Sequence, residues 1–167
     1  RGAWGIVDID DVCAGAEFLV AQGLADPKRL AIDGGSAGGF TTLGALAFKD
    51  TFTAGCSLYG VADLTALAAD THKFESRYLD GLVGRYPEDK AIYQERAPIR
   101  SVDTLSCPIL LLQGAEDKVV PPNQAEEMRR AARCFLGGRR EAVPTLERTR
   151  RRFRWIASSR HKALLAK

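Results

Sequence analysis

The sequence lacks any run of about 18 consecutive apolar residues, so we expect no membrane-spanning helix. Its N-terminus also lacks a basic segment followed by an apolar core, and we therefore expect no secretory signal. Cysteine is sparse, and Cys13, Cys56, Cys107 and Cys134 lack the close pairing that metal and redox sites use. These absences favour a cytoplasmic protein with reduced thiols, no metal and no cofactor.

The net charge of the whole chain is small, +3, but two parts of the chain carry large and opposite net charges. The 167 residues are 46% hydrophobic and 27% charged, which is ordinary for one globular domain. Residues 1–128 carry 11 Lys and Arg against 19 Asp and Glu, a net charge of −8. Residues 129–167 carry 13 against 2, a net charge of +11. Because one folded domain rarely changes so abruptly, we predict a domain over 1–128 and an Arg-rich, poorly ordered tail over 129–167.

Short apolar segments alternate with helical ones along the first part of the chain. The pattern predicts strands over residues 29–33, 54–59 and 108–113, and helices over 9–20, 37–48 and 121–132. Asp8 is placed to cap the first helix and Gly23 to end it. This alternation is typical of an α/β fold with a parallel sheet. Beyond Met128 the sequence shows no strand pattern.

One serine lies between a predicted strand and a predicted helix. It is Ser36, within Gly34-Gly35-Ser36-Ala37-Gly38, which matches the Gly-x-Ser-x-Gly nucleophile elbow of α/β-hydrolases. The small flanking residues allow the strand and the helix to approach closely, and the turn exposes the hydroxyl. The alternative is a glycine-rich turn that only serves packing. The context favours an acyl-transfer hydrolase with an α/β-hydrolase fold.

A serine nucleophile needs a base and a carboxylate that orients the base, and α/β-hydrolases place them in the chain order Ser, Asp or Glu, His. Asp117 follows the clearest predicted strand and is the candidate acid, with Glu116 as its local rival and a solvated loop carboxylate as the alternative. His161 is the one histidine after Asp117, so it is the candidate base. It lies within the Arg-rich tail, where a solvated side chain is the alternative. His72 precedes Asp117 and violates the order.

The oxyanion hole of this fold uses two backbone donors. The N–H of Ala37, directly after the nucleophile, would supply one of them. The second donor normally comes from a loop after an early strand, and no such segment precedes Arg1 in this sequence. We therefore expect the chain to provide half of the hole and a partial α/β-hydrolase fold without its early strands.

Several motifs together resemble the catalytic domain of the prolyl oligopeptidase family of serine peptidases, in particular its acylaminoacyl-peptidase and dipeptidyl-aminopeptidase-like members. The resemblance covers about residues 4–128 and rests on the runs Trp4-Gly5-Ile6-Val7-Asp8, Gly34 to Gly39, Ala54 to Gly60, Thr71-His72-Lys73-Phe74-Glu75 and Cys107 to Pro122. It implies that Ser36 is the nucleophile, that Asp117 is the acid and that His72 belongs to a motif outside the triad. The implied substrate is a peptide, and family members carry a β-propeller upstream.

The chain departs from the family pattern after its last predicted helix. Family members continue with an apolar strand and a His-Gly loop, whose histidine would fall near Thr149. We therefore expect an incomplete or inactive form, and we hypothesise that a reading-frame shift, a mispredicted exon or a divergent splice end produced residues 129–167. An esterase on the same fold is one alternative. A non-catalytic fragment whose basic tail binds anionic partners is another, although we expect no nucleic-acid partner.

Overall fold

The computed structural model describes residues 1–70, 77–135 and 153–158. Its helices are α1 (Val7–Ala21), α2 (Ala37–Phe48), α3 (Leu64–Asp70), α4 (Tyr78–Leu82), α5 (Lys90–Glu95) and α6 (Asn123–Phe135). Its strands are β1 (Ala31–Gly35), β2 (Ala54–Leu58), β3 (Ile109–Gly114) and β4 (Phe153–Ser158), and short 3-10 helices span Pro27–Arg29 and Pro98–Thr104.

In the described part of the chain, the strands form one sheet in the order β1-β2-β3-β4. The pairs β1–β2 and β2–β3 are parallel, with Gly35 opposite Leu58 and Leu58 opposite Leu112. Helix α2 connects the first two strands, and a longer helical segment connects β2 to β3. The prediction of an α/β fold with a parallel sheet is confirmed for β1, β2 and β3, and β4 adds an antiparallel strand.

The C-terminal strand corrects one prediction. We expected no strand beyond Met128, and this is wrong, because β4 pairs antiparallel with β3 from Phe153 opposite Gly114 to Ser158 opposite Ile109. In this strand Phe153, Trp155 and Ala157 alternate with Arg154, Ile156 and Ser158. The alternation is short and lies among many arginines, so it was not recognised as a strand pattern. Helix α6 also continues past residue 128 to Phe135. The domain boundary at residue 128 stays a prediction.

Two element starts differ from the sequence prediction for local reasons. The first strand begins at Ala31 rather than at residue 29, because Asp26 accepts a hydrogen bond from the Lys28 N–H at 2.9 Å and caps a 3-10 turn there. Helix α6 begins at Asn123 rather than at residue 121. Pro122 disfavours helical geometry at the residue that precedes it, so the helix starts after the second proline.

Helix α1 ends as predicted but begins differently. Gly23 has φ of +69°, and the Leu24 N–H donates to the Leu19 carbonyl, which forms a Schellman end. Asp8 does not cap the helix. Its carboxylate instead accepts hydrogen bonds from the Gly5 N–H at 2.6 Å and from the Thr41 hydroxyl at 2.5 Å. Asp8 therefore ties the N-terminal segment to α2.

The buried apolar residues of the described segments form two clusters. The first packs α1, α2 and α6 on the sheet through Ile9, Cys13, Leu43, Leu46, Ile109, Leu111 and Met128. The second lies beyond the carboxyl ends of the strands and joins the start of α2, the helical segment after β2 and the loop after β3 through Phe40, Val61, Leu64, Leu79, Val83, Tyr93 and Val120. None of the described helices is long and apolar enough to span a bilayer.

Candidate active site

Ser36 forms a one-residue turn between β1 and α2. Its φ and ψ are 55° and −118°, a backbone conformation that non-glycine residues rarely adopt. The Ser36 N–H donates to the Leu58 carbonyl at 3.0 Å, and the Phe40 N–H donates to the Ser36 carbonyl at 3.1 Å. The strained conformation is therefore fixed by the sheet on one side and the helix on the other. This is the strand–turn–helix arrangement that a nucleophile elbow requires.

The glycines around Ser36 are required by close backbone approach. A Cβ on Gly34 would overlap the carbonyl group of Gly38 across the turn. A Cβ on Gly39 would lie 2.6 Å from the Cα of Gly60, in the chain that follows β2. Real Cβ atoms do not approach other atoms this closely, so any side chain at either position forces the turn open. Gly34 before the serine and Gly39 after it are thus required for steric reasons, whereas a Cβ on Gly38 would meet no atom within 4 Å.

Ala37 is the first residue of α2 and is exposed. The first N–H groups of a helix have no acceptor within it, and the helix dipole adds positive potential at that end. The Ala37 N–H directly follows Ser36, so it would face the negative charge that develops on a substrate oxygen if Ser36 attacked a carbonyl carbon. This position suits one donor of an oxyanion hole.

Asp117 lies in the loop that connects β3 to α6, and hydrogen bonds orient its carboxylate. Its Oδ1 accepts from the N–H groups of Val119 at 2.9 Å and Val120 at 3.0 Å. Its Oδ2 has one long contact, 3.5 Å to the side-chain amide of Gln113. Asp117 is half-buried, whereas its rival Glu116 is exposed. One carboxylate oxygen is thus held by two backbone N–H groups of the loop, whereas among the described residues the other has only the long Gln113 contact.

The Ser36 turn and the Asp117 loop share one edge of the sheet. Ser36 follows β1 and Asp117 follows β3, and the two strands are parallel to β2 between them. Neighbouring strands lie 4.7–4.9 Å apart, so the ends of β1 and β3 are separated by about 10 Å. The Ser36 turn and the Asp117 loop therefore lie at the same edge of the sheet, with the end of β2 between them.

Tyr59 occupies the middle of this edge, and the sequence analysis missed it. It has φ of 41°, is 41% exposed and follows β2, where its N–H donates to the Leu112 carbonyl at 2.6 Å. Its hydroxyl lies 2.7 Å from the position that a Cβ on Gly35 would take. The ring thus lies beside the nucleophile turn.

The structure brings Ser36, Ala37 and Asp117 to one edge but does not place the base. His161, His72 and Thr149 all lie outside the described residues. Within the described residues, no group of three or more His, Cys, Asp or Glu side chains is arranged to hold a metal ion. The described chemistry consists of a strained serine, a backbone donor and an oriented carboxylate.

Comparison with known proteins gives a family match and several relatives. Residues 1–160 match the prolyl oligopeptidase family. A solved puromycin-hydrolyzing peptidase from Mycobacterium tuberculosis is 50% identical, with a TM-score of 0.79, and the match covers 81% of this chain and 20% of that one. Dipeptidyl aminopeptidase BIII of Pseudoxanthomonas mexicana is 29% identical over 137 residues, covering 78% of this chain and 20% of the relative.

An ester hydrolase is also among the relatives. The probable carboxylic ester hydrolase LipM of Mycobacterium tuberculosis is 29% identical over 142 residues, which covers 75% of this chain and 33% of the relative. The chain thus spans about a fifth of the length of the peptidases that it matches and a third of this esterase. Both reaction classes occur on proteins that are similar to it.

Proposed function

The chain belongs to the prolyl oligopeptidase family, and from this membership we propose that it carries serine peptidase chemistry with Ser36 as the nucleophile and Asp117 as the acid. One observation carries the proposal. Ser36 is held at φ of 55° in a one-residue turn, at the same sheet edge as the loop that orients the Asp117 carboxylate. Strain of this kind costs about 1–3 kcal/mol and persists where the surrounding structure enforces it, most often at functional sites.

The proposed reaction is acyl transfer through a covalent intermediate. A base removes the Ser36 Oγ proton while Oγ attacks the carbonyl carbon of a peptide, and the new negative charge faces the Ala37 N–H. The base then gives its proton to the leaving amine, and water hydrolyses the acyl-enzyme by the same route. We propose His161 as this base, supported only by its position after Asp117 in the chain.

A fluorophosphonate probe tests the nucleophile. We expect slow labelling of the full chain, located at Ser36 by peptide mass spectrometry and absent in Ser36→Ala. Slow reaction is expected because Ala37 is the one oxyanion-hole donor assigned among the described residues, and loss of one donor costs about 10²–10³ in rate. Added imidazole should accelerate labelling if the gap between Ser36 and Asp117 lacks a base. No labelling of a folded chain, with or without imidazole, would contradict the proposal.

The histidine assignment has its own matched pair of variants. His161→Ala should lower the labelling rate, whereas His72→Ala should not, because His72 precedes the acid in the chain. Equal rates in the two variants would show that His161 is not the base. Ser36 would then remain the nucleophile of a site that lacks its base, which the imidazole experiment detects separately.

For the substrate, we propose peptide or aminoacyl amides. The names of the similar puromycin-hydrolyzing peptidase and dipeptidyl aminopeptidase support this class. The second candidate is ester hydrolysis, which the similarity to LipM favours. Puromycin, an aminoacyl p-nitroanilide and a p-nitrophenyl ester compared at equal concentration separate the two. Turnover of the ester alone, lost in Ser36→Ala, would favour the esterase.

We also propose that the protein works in the cytoplasm. Cys13, Cys56 and Cys107 are free thiols, which supports a reducing compartment. Burial raises the pKa of each of these thiols, so they react slowly at neutral pH. Cell fractionation with an antibody against the chain tests this location, and recovery in a secreted fraction would contradict it.

A further inference from the structure

We propose that Gln113 is a positioning residue for the acid, because its side-chain amide closes the loop that orients the Asp117 carboxylate. The inference rests on the proposed function, in which Asp117 is the acid. It concerns a residue of β3 that does not touch Ser36 or the substrate. Gln113 acts through Val120, the residue at the far end of that loop.

Gln113 is a polar residue in a row of apolar ones. Ile109, Leu111 and Gln113 lie on the same face of β3, and all three are buried. Gln113 is only 3% exposed. Burial of an amide costs free energy unless its groups find hydrogen-bond partners. An apolar side chain of the same length would avoid this cost, so the amide needs a specific reason.

The donor end of the amide supplies that reason. Its Nε2 donates to the Val120 carbonyl at 2.9 Å and lies 3.5 Å from both the Gly114 carbonyl and Asp117 Oδ2. Val120 in turn donates its N–H to Asp117 Oδ1 at 3.0 Å. Gln113, Val120 and Asp117 therefore form a chain of hydrogen bonds across the loop. Loss of the first bond loosens the donor that holds the carboxylate.

The oxygen of the same amide shows that only the nitrogen takes part in the hydrogen bonds of the loop. Within the described part of the chain, Gln113 Oε1 is buried and has no hydrogen-bond partner. The assignment of the two amide atoms is fixed by the Val120 carbonyl, which can accept from Nε2 but would oppose Oε1. The fold thus tolerates an unsatisfied acceptor in order to keep the donor. Val120 is itself buried in the second apolar cluster, which anchors the far end of the loop.

A second buried glutamine provides a matched control. Gln124 is 1% exposed and lies in the first turn of α6. Its Oε1 accepts from the Ala62 and Asp63 N–H groups, both at 2.8 Å, and its Nε2 donates to the Asp63 carbonyl at 3.2 Å. These bonds reach the chain after β2 and not Asp117. Replacement of Gln124 therefore removes a buried amide of equal size without touching the acid.

The test compares Gln113→Met with Gln124→Met in the full chain. Amide hydrogen exchange followed by NMR reports the Val119 and Val120 N–H groups, which bind the Asp117 carboxylate. We expect their exchange to accelerate about tenfold in Gln113→Met and to stay at the wild-type rate in Gln124→Met. Equal exchange of these two amides in both variants would overturn the inference.

Gln113→Glu distinguishes the loss of the hydrogen-bond donor from a change in the shape of the side chain. It keeps the size of the side chain, but an ionised carboxylate cannot donate to the Val120 carbonyl. We expect low protection of the Val119 and Val120 amides at pH 8 and recovery as the pH falls and the new carboxyl group gains its proton. Protection that does not change with pH would show that Gln113 only fills space. This variant also decides the question if Gln113→Met does not fold.

Probe labelling connects the loop to catalysis. In the presence of imidazole, Gln113→Met should label at Ser36 about tenfold more slowly than Gln124→Met. If the wild-type chain does not label, the proposed function fails, and the exchange data still decide whether Gln113 closes the loop. If exchange accelerates while labelling is unchanged, Gln113 does not position an acid and the inference is wrong.

Discussion

Alanine at Gly39 should destabilise the protein far more than alanine at the adjacent Gly38, although both lie in the first turn of α2. An ideal Cβ on Gly39 would lie 2.6 Å from the Cα of Gly60, 2.9 Å from the hydroxyl oxygen of Ser57 and 3.1 Å from the Gly60 nitrogen. A Cβ on Gly38 would meet no atom within 4 Å. The two substitutions add the same methyl group to the same helix, so their difference isolates the steric cost.

The loss of stability in Gly39→Ala depends on which atoms the added methyl group contacts. Two of the three contacts of Gly39 are with backbone, which cannot rotate away as a side chain does, and Ser57 also donates its hydroxyl to the Gly39 carbonyl at 3.2 Å. Overpacking costs about 1–3 kcal/mol, and we expect the upper end here. Gly38→Ala should stabilise the helix by about 0.5–1 kcal/mol. Gly39→Ala gains the same helix propensity, so the two variants should differ by the overpacking cost alone, about 3 kcal/mol.

Urea unfolding followed by far-UV circular dichroism measures both variants, with the m-values checked for equality before the free energies are compared. In thermal unfolding, a difference of this size corresponds to about 6–12 °C in a protein of this length. A free-energy difference below about 1 kcal/mol would refute the reasoning, because the α2 contact with the chain after β2 would then be loose. Probe labelling of Gly38→Ala at the wild-type rate would show that the elbow itself is intact.

Two further substitutions test the second apolar cluster. The Tyr93 hydroxyl donates to the Gly84 carbonyl at 2.6 Å, and its loss in Tyr93→Phe should cost about 1–3 kcal/mol in urea unfolding. Burial also raises the pKa of Tyr93 above 10.0, so the unfolded chain ionises first, and wild-type stability should fall as the pH rises past 10.0 more steeply than that of Tyr93→Phe. Equal slopes for the two proteins would contradict this linkage. Phe40→Ala should cost about 3–5 kcal/mol and change the fluorescence of Trp4, whose ring centroid lies 4.4 Å from that of Phe40; unchanged emission would show that the contact does not form.

Most of the fold that carries the nucleophile could be predicted from local sequence. The helix over residues 37–48 was predicted with the bounds that α2 has, and the end of α1 at Gly23 followed from glycine's preference for positive φ. Both features depend on residues that are close in the chain. The start of β1 and the start of α6 were each misplaced by two residues, because a capped turn and a second proline decided them locally.

The arrangement between strands was less accessible from sequence. Strand β4 was missed because its pairing depends on the free edge of β3, far away in the chain, and not on a strong pattern of its own. Gln113 and Tyr59 were missed for the same reason. Each is a single residue at a strand end, and its importance depends on what the neighbouring loop brings near it.

The sequence by itself determined the local turn that holds Ser36, because the small residues of Gly34-Gly35-Ser36-Ala37-Gly38 permit it, and the family match follows from such local runs. Only the tertiary structure decided which partners meet that serine. The parallel register of β1, β2 and β3 brings Asp117 to the same edge, and hydrogen bonds across the loop fix one oxygen of its carboxylate. The steric limit of Gly34 against Gly38 acts between residues that are close in the chain and can be read from the sequence, whereas that of Gly39 against Gly60 cannot. Distances between residues that are distant in sequence depend on how the sheet assembles.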